Sequence, residues 1–536
     1  MRSQKYIVVW CAILLAAIIV APVNACMDVV VGKDASVDGS VMTSHTADGW
    51  YDSSITLVPG QTFEEGAIAD VHWNIIGEEP GPPVKIGEIP QVKQTYSYYN
   101  VGYPFMNEHQ LMIGESTIAQ KEELATFRGE KAIMTIEQLE VFALQRAKTA
   151  REAINVMGEL AEKYGFLPSC ANMGESLTIA DPNEAWLFEI FSVGVLWNPE
   201  SGEPGAVWAA QRIPDDHVFV MPNVSRIREI DLNNPDYFMA SQNYMQVAID
   251  QGWYDPKSGK PFIWQEAYVP KTGDWALSSM WCRIRLYLVY SAAAPSLEWD
   301  PYMSTELYPF SIKPEKKFSV QDVMALMRST LTGTVFDMEE DPGWLVPGED
   351  NKMEKSPFTT PFPVDDMHNL LTIPYHRPAA KYNCSYGFVS QSRSWLPDPI
   401  GGVLWFYHDN PHVSLYVPVY CSVQKFPKSW QTFDRDHFSR DSARWAFAFA
   451  DDLVNRRYQD AIKDLRAVRE PIEADFFMMQ SAIEIAAAKA YEQDPELAKR
   501  FLTDYTNACM LRAEEAYWQL NDDLIQKYNN NKGLTP

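Results

Sequence analysis

Apolar and polar positions alternate from Cys26 onward. Met27-Asp28-Val29-Val30-Val31-Gly32 reads as a strand, Lys33 to Gly39 as a turn rich in Asp, Ser and Gly, and Ser40 to Thr46 as a returning strand. Folding this hairpin about its turn pairs residues whose numbers sum to roughly 72 on antiparallel ladder geometry. Cys26 is thereby set near Thr46, and the polar run Ser44-His45-Thr46-Ala47-Asp48 returns beside it by local topology alone.

Further along, residues 58–95 are rich in Pro, Gly and Glu and predict a surface excursion. Gln94 to Val101 and Gln110 to Gly114 are strand-like, with Met106 to His109 as a turn. Thr135-Ile-Glu-Gln138 and Thr149-Ala-Arg-Glu152 have capping-box spacing and open two helices, with apolar recurrence through Leu160. Leu177 to Ile190 predicts a hairpin closed by Asp181-Pro182-Asn183-Glu184, followed by short strands at Ala206 to Ile213 and His217 to Met221. Ser319 to Asp322 caps a helix to about Leu331, and residues 338–368 form a loop rich in Pro, Asp and Glu. Strands return at Tyr386 to Gln391, Gly402 to Tyr407 and Ser414 to Val419. From Asp436 to about Lys527 the pattern is helical, with Pro471 and Pro495 as breaks. No internal repeat or low-complexity linker interrupts the chain. The organisation expected is a leader over 1–25, one body over 26–435, and a helical region over 436–536 packed on it.

The leader changes how Cys26 is read. Arg2 and Lys5 precede an apolar run from Tyr6 to Val20, Pro22 ends it, and Val23-Asn24-Ala25 is a small-residue cleavage pattern. The run is shorter than the roughly 20 residues that span a bilayer, so the expectation is a cleaved signal, an exported protein and no membrane association afterwards. Cleavage after Ala25 would leave Cys26 with a thiol and a free α-amine on one carbon. A thiol of pKa about 8.5 is mostly protonated at neutral pH, and an α-amine of pKa about 7.7–8.0 on the same residue can take its proton. Two other readings stand beside this one. A cysteine after a bacterial leader is also a lipid attachment site, although Val23 and Asn24 make a poor lipobox, and the residue can be incidental.

Composition narrows the partners. The formal net charge of −26 grows more negative by two when Arg2 and Lys5 leave with the leader, which opposes binding to nucleic acid or anionic lipid. The cysteines from Cys26 onward, at 170, 282, 384, 421 and 509, form no CxxC pair and no disulfide framework. No HExxH motif, close histidine pair, phosphate-cradling glycine loop or GxSxG elbow occurs, so neither metal nor cofactor is expected. Cys26 remains the sharpest candidate for chemistry.

The blocks that follow Cys26 sharpen that reading. Cys26 to Ser40 with Ser44-His-Thr-Ala-Asp48, Asn107-Glu108, Ile113-Gly-Glu-Ser-Thr117, Ala143 to Ile154, Asp181 to Trp186, Gln211 to Asp216, Gly387 to Arg393 and Pro399 to Trp405 occur in this order. Together they resemble the C69 (formerly U34) dipeptidases, which belong to the N-terminal nucleophile hydrolases. The resemblance implies an α+β fold, an αββα sandwich of two antiparallel sheets with a C-terminal helical extension. It also implies cleavage of small peptides through a thioester acyl-enzyme, with Cys26 as nucleophile, its α-amine as base and Asp48 orienting that amine. Asn223 matches an oxyanion donor of related acylases, Ser116 aligns as a second donor through its backbone, and Arg283 or its competitor Arg285 matches an active-site arginine. Blander readings remain: Asp48 before Gly49 fits a turn, and Asn223 fits a loop or a glycosylation sequon. His45 stands where many relatives carry arginine; as a substrate-binding residue it would replace that arginine as a hydrogen-bond donor near the thiol, but it titrates near neutrality where arginine does not, and a structural role is the other reading. An amidase acting on a non-peptide acyl amide and a peptide-binding lipoprotein are the alternatives. Dipeptide preference and oligomeric state are left open.

Overall fold

The computed structural model describes residues 26–126, 131–168, 172–348 and 350–529. The expected leader and its cleavage site, and Cys170, lie outside them.

The opening hairpin forms as its pattern predicts. Strand β1 (Asp28–Val31) and strand β2 (Ser44–Asp48) are tied by the Val31–Met42 bridge, by Thr46 N donating to Met27 O at 3.2 Å, and by Val29 N donating to Ser44 Oγ at 2.8 Å. These pairs share a register sum of 73, one more than the sequence estimate. Every residue of both strands is buried, including Ser44, His45 and Asp48, so this hairpin lies inside the molecule.

An eight-stranded antiparallel sheet packs against it. Its centre is β3 (Met112–Ile118), β4 (Gly174–Ala180), β5 (Ala185–Ser192) and β6 (Ala206–Ile213), joined side by side in that order. Phe238–Ala240 extends it beyond β6, and Met106–Asn107, Tyr98–Asn100 and Thr56–Val58 extend it beyond β3. The β4–β5 turn is held by Asp181, whose Oδ1 accepts from Asn183 N at 2.7 Å and Glu184 N at 3.1 Å. Strand β7 (Val218–Met221) then crosses back to pair antiparallel with β1, Asp28 facing Met221. On the other flank β2 pairs with β8 (Cys384–Gln391), which continues into β9 (Val403–His408) and β10 (Val417–Tyr420). The β1/β2 hairpin therefore joins β7 to β8–β10, and both its strands contact β3. A Cβ at Gly114 would stand 2.8 Å from Ser44 O and 2.8 Å from Thr178 Oγ1, so glycine is what permits this close approach of the two sheets.

Helices cover both sheets. Helix α1 (Ile136–Arg146) and helix α2 (Ala150–Tyr164) start at Thr135 and Thr149, whose hydroxyls accept from Gln138 N and Glu152 N as the capping spacing predicts. Helix α2 contacts β4, β5 and β6. Helix α3 (Met280–Ala293) contacts β7, and helix α4 (Val320–Met327), with its Ser319/Asp322 capping box, contacts β8. The molecule is thus α+β.

Four expectations change. Met106–Asn107, expected within a turn, is a short strand, and the expected loop at 338–368 contains a hairpin, Leu345–Pro347 with Met353–Lys355. The excursion at 58–95 contains a hairpin, Ile68–Trp73 with Val84–Pro90, because apolar residues alternate within its polar composition. Pro471 does not break the tail, which runs as α5 (Ala443–Asn455), α6 (Tyr458–Gln493) and α7 (Pro495–Lys527). Pro471 and Ala467, whose carbonyl loses its helical donor, are both exposed, so water can satisfy that oxygen. Pro495 does mark a helix start, following Asp494, whose side chain accepts from Glu496 N. The tail shares the main hydrophobic core: the Trp405 and Phe477 rings stack at 4.2 Å, and Arg393 pairs with Glu484 at 2.8 Å.

Candidate active site

Cys26 stands just before β1, between the two sheets, and is 2% exposed. Its Sγ donates to Glu115 Oε2 of β3 at 3.3 Å. Burial first, and then the carboxylates of Glu115, Asp48 and Asp28, push the thiol well above its ordinary range. Only the backbone amide of Asp48 acts in the opposite sense.

Asp48 ends β2 opposite Cys384, fully buried. Its Oδ2 is ion-paired with the guanidinium of Arg377, which is itself 2% exposed, while its Oδ1 has no partner. The charge of Asp48 is among the forces that hold Arg377 above the usual arginine range despite burial. Arg377, in Tyr375-His376-Arg377-Pro378, was not singled out in the sequence because nothing in its spacing marks it.

Asn223 follows β7 at φ 63°, a left-handed conformation that asparagine tolerates better than most residues. Its Nδ2 donates to Ser116 Oγ and to Thr117 O, each at 2.9 Å, and its Oδ1 accepts from Arg285 Nη1 at 2.8 Å. Ser116 lies opposite Ser176 in the β3–β4 ladder and its carbonyl accepts from Ser176 Oγ at 2.9 Å. The structure therefore brings Asn223 and Ser116 together, next to Cys26 through Arg285.

The competition between the two arginines of α3 is decided by side-chain direction. Arg285 is fully buried, and its Nη1 donates to Cys26 O at 2.8 Å while its Nη2 donates to Pro222 O at 2.8 Å. Burial, then the neighbouring Arg377, pushes Arg285 down to about 10, leaving it charged at neutral pH. Arg283 points elsewhere: its Nη1 donates to Tyr302 O at 3.4 Å and its guanidinium lies 5.8 Å from the Tyr302 ring. A shift of two positions along a helix turns a side chain by roughly 200°, so only one of the pair can face the site.

His45 is in the site, but the expectation that it titrates near neutrality fails. Burial lowers it to about 3. Its Nδ1 accepts from Glu115 N at 3.3 Å, which puts the ring proton on Nε2, and it lies 3.2 Å from Asp28 Oδ1. A protonated Asp28 carboxyl satisfies that contact, in keeping with the upward push on Asp28 from burial and Glu115.

Glu115, like Arg377, is a residue that sequence reasoning missed. It sits in Ile113-Gly-Glu-Ser-Thr117, where an acid within a strand of apolar and hydroxyl residues was the available signal. Burial raises it, and hydrogen bonds from Glu175, Cys26 and Thr117 oppose that. Glu140, also buried, is pushed well up by burial and then by Glu115. A further unmarked residue, Lys381, is lowered to about 8 by burial and then Arg377. One donor atom each from Cys26, His45 and Glu115 lie within 4.8 Å of one another, a set that could hold a metal ion and that linear spacing hides because three segments supply it.

Chemically, the arrangement offers a thiol, a carboxylate with one oxygen unpartnered, and a hydrogen-bonded Asn–Arg pair anchored on the backbone of the thiol's own residue. That is the equipment of nucleophilic acyl transfer. The comparisons bear on the reaction class alone. A probable dipeptidase of Latilactobacillus sakei is 22% identical over 76% of this chain and 76% of its own length. A probable dipeptidase of Salmonella dublin is 24% identical over 75% and 82% respectively, and a dipeptidase of Bifidobacterium longum is 23% identical over 58% and 60%. The model of peptidase family C69 matches residues 25–471. The chain belongs to peptidase family C69 and is a peptide-bond hydrolase.

Proposed function

We propose that this protein is an exported cysteine dipeptidase of the N-terminal nucleophile type, made active by removal of residues 1–25. The names of its relatives support small peptides as substrates. The contacts of α2 with one sheet, and of α3 and α4 with the other, support the αββα arrangement of that class. Cys26 is the nucleophile and its released α-amine the base. The thiol proton passes to the amine and the sulfur attacks the peptide carbonyl. The C–N bond breaks as the leaving amine takes that proton. Water, deprotonated by the same amine, then cleaves the thioester. Asn223, whose Nδ2 donates to Ser116 Oγ and Thr117 O and whose Oδ1 is held by Arg285, serves the developing oxyanion by giving up one of those two donor bonds, a role worth a few kcal/mol.

The observation that carries this reading is Asp48. One of its oxygens is held by Arg377 and the other is buried without a partner, on the strand whose Thr46 amide bonds the carbonyl next to Cys26. An orphaned buried carboxylate oxygen is costly, and a neighbouring ammonium created by cleavage would satisfy it. The test is hydrolysis of a dipeptide panel by protein whose N-terminus has been verified as Cys26, beside equally processed Cys26→Ser. Loss of turnover in a folded variant supports the assignment. Unchanged turnover, or a diacylglyceryl mass on natural Cys26, overturns it.

A further inference from the structure

The buried charge around the thiol is unbalanced in one direction. Asp48 has Arg377, but Glu115 has no ion-pair partner among the described residues, although it is 1% exposed. Its carboxyl group meets the Cys26 thiol, the Thr117 hydroxyl and the Glu175 carboxyl. Asp28 and Glu140 add further buried carboxyls to its surroundings. An acid so placed works against its neighbour as a nucleophile, because a thiolate formed 3.3 Å from a carboxylate is repelled by it.

A peptide with a free amino terminus would correct this imbalance at the moment it binds. Once sulfur and carbonyl carbon are joined, the α-nitrogen of the acyl residue is three bonds from the sulfur, about 3–4 Å away on standard bond lengths. Glu115 Oε2 lies 3.3 Å from that sulfur, so rotation about the S–C and C–Cα bonds can carry the substrate's ammonium group into hydrogen-bond reach of it. We propose that Glu115 is the anchor for the α-ammonium of the substrate, restricting the site to short peptides with a free N-terminus, and that this cation takes over the hydrogen bond by which Glu115 holds the Cys26 thiol. No bond is made or broken in this step: Glu115 exchanges a thiol donor for an ammonium donor, and the thiol proton becomes available to the enzyme's own α-amine. An N-acylated peptide or non-peptide acyl amide carries no cation and leaves the thiol restrained. The inference rests on the dipeptidase reading and names what that site recognises.

Two measurements test it, on protein with verified Cys26 or, for binding, Ala at that position. The first is kcat/KM for Ala-Ala and N-acetyl-Ala-Ala, in wild type and Glu115→Gln. The wild type should prefer the free amine, and Glu115→Gln should lose about 10- to 100-fold on Ala-Ala, the size expected for a charged hydrogen bond, while N-acetyl-Ala-Ala should not fall and should rise to the extent that the lost carboxylate frees the thiol. Equal loss on both substrates would assign Glu115 to structure or to the enzyme's own amine and overturns the proposal. The second is calorimetric binding of the same two peptides to Cys26→Ala, with and without Glu115→Gln. Amine-dependent binding that needs Glu115, in a protein that hydrolyses no peptide, would retain the anchor and refute the proposed function. Hydrolysis without preference for the free amine would do the reverse, and needs no folded variant at position 115.

Discussion

Arg285 donates through Nη1 to the carbonyl oxygen of Cys26, and the same Nη1 reaches Asn223 Oδ1, both at 2.8 Å. One guanidinium thus fixes the backbone of Cys26 and the amide beside it, from a helix 259 positions away in sequence. Its planar fork reaches Cys26 O, Asn223 Oδ1 and Pro222 O together, which an ammonium cannot reproduce from one position.

Arg285→Lys should therefore fold but lose about 10- to 100-fold in kcat, with a smaller change in KM, since each lost charge-assisted hydrogen bond is worth about 1.5–3 kcal/mol. Steady-state kinetics on a dipeptide checks it. Arg283→Lys is the control, and should leave turnover within about twofold because its contacts are with Tyr302.

Asp48 and Arg377 form a fully buried ion pair, and truncating one partner strands the other. Arg377→Met should cost about 3–5 kcal/mol, and adding Asp48→Asn should recover part of that loss, because the double variant buries no uncompensated charge. Denaturant unfolding of the single and double variants measures the coupling. Additive losses would show that the pair does not act as one.

His45 carries its pH dependence in stability, not in turnover. Its folded value of about 3 lies below the unfolded value of about 6.5, so its contribution is complete above pH 6.5 and is lost as pH falls from there toward 3. Between pH 6.5 and 5 the wild type should lose about 2 kcal/mol relative to His45→Gln, whose side chain does not titrate. Unfolding curves at the two pH values compare them. The pH–rate profile between 5 and 8 should contain no inflection that disappears in His45→Gln.

Local pattern specified the first step of this architecture. Alternation from Met27 to Gly32, the polar turn and the return through Thr46 set a register within one position of that observed, because a hairpin's pairing depends on residues that are neighbours in the chain. The capping residues Thr135, Thr149 and Ser319 were legible for the same reason, since a cap acts three positions away. Pro471 was misread because its tolerance depends on which face of the helix meets water, a property of packing.

The sequence by itself therefore determined that Cys26 begins a hairpin and that Asp48 returns beside it. Only the tertiary structure decided which charges meet there. Glu115 comes from a strand of the opposite sheet, Arg285 from one face of a helix, and Arg377 from a segment with no periodic signature. Their convergence depends on two sheets closing to the distance that Gly114 allows and on the direction of each side chain after that closure. Hydrogen bonds and ion pairs act over a few ångströms, so separations of 89, 259 and 329 positions leave no trace of them in the linear pattern.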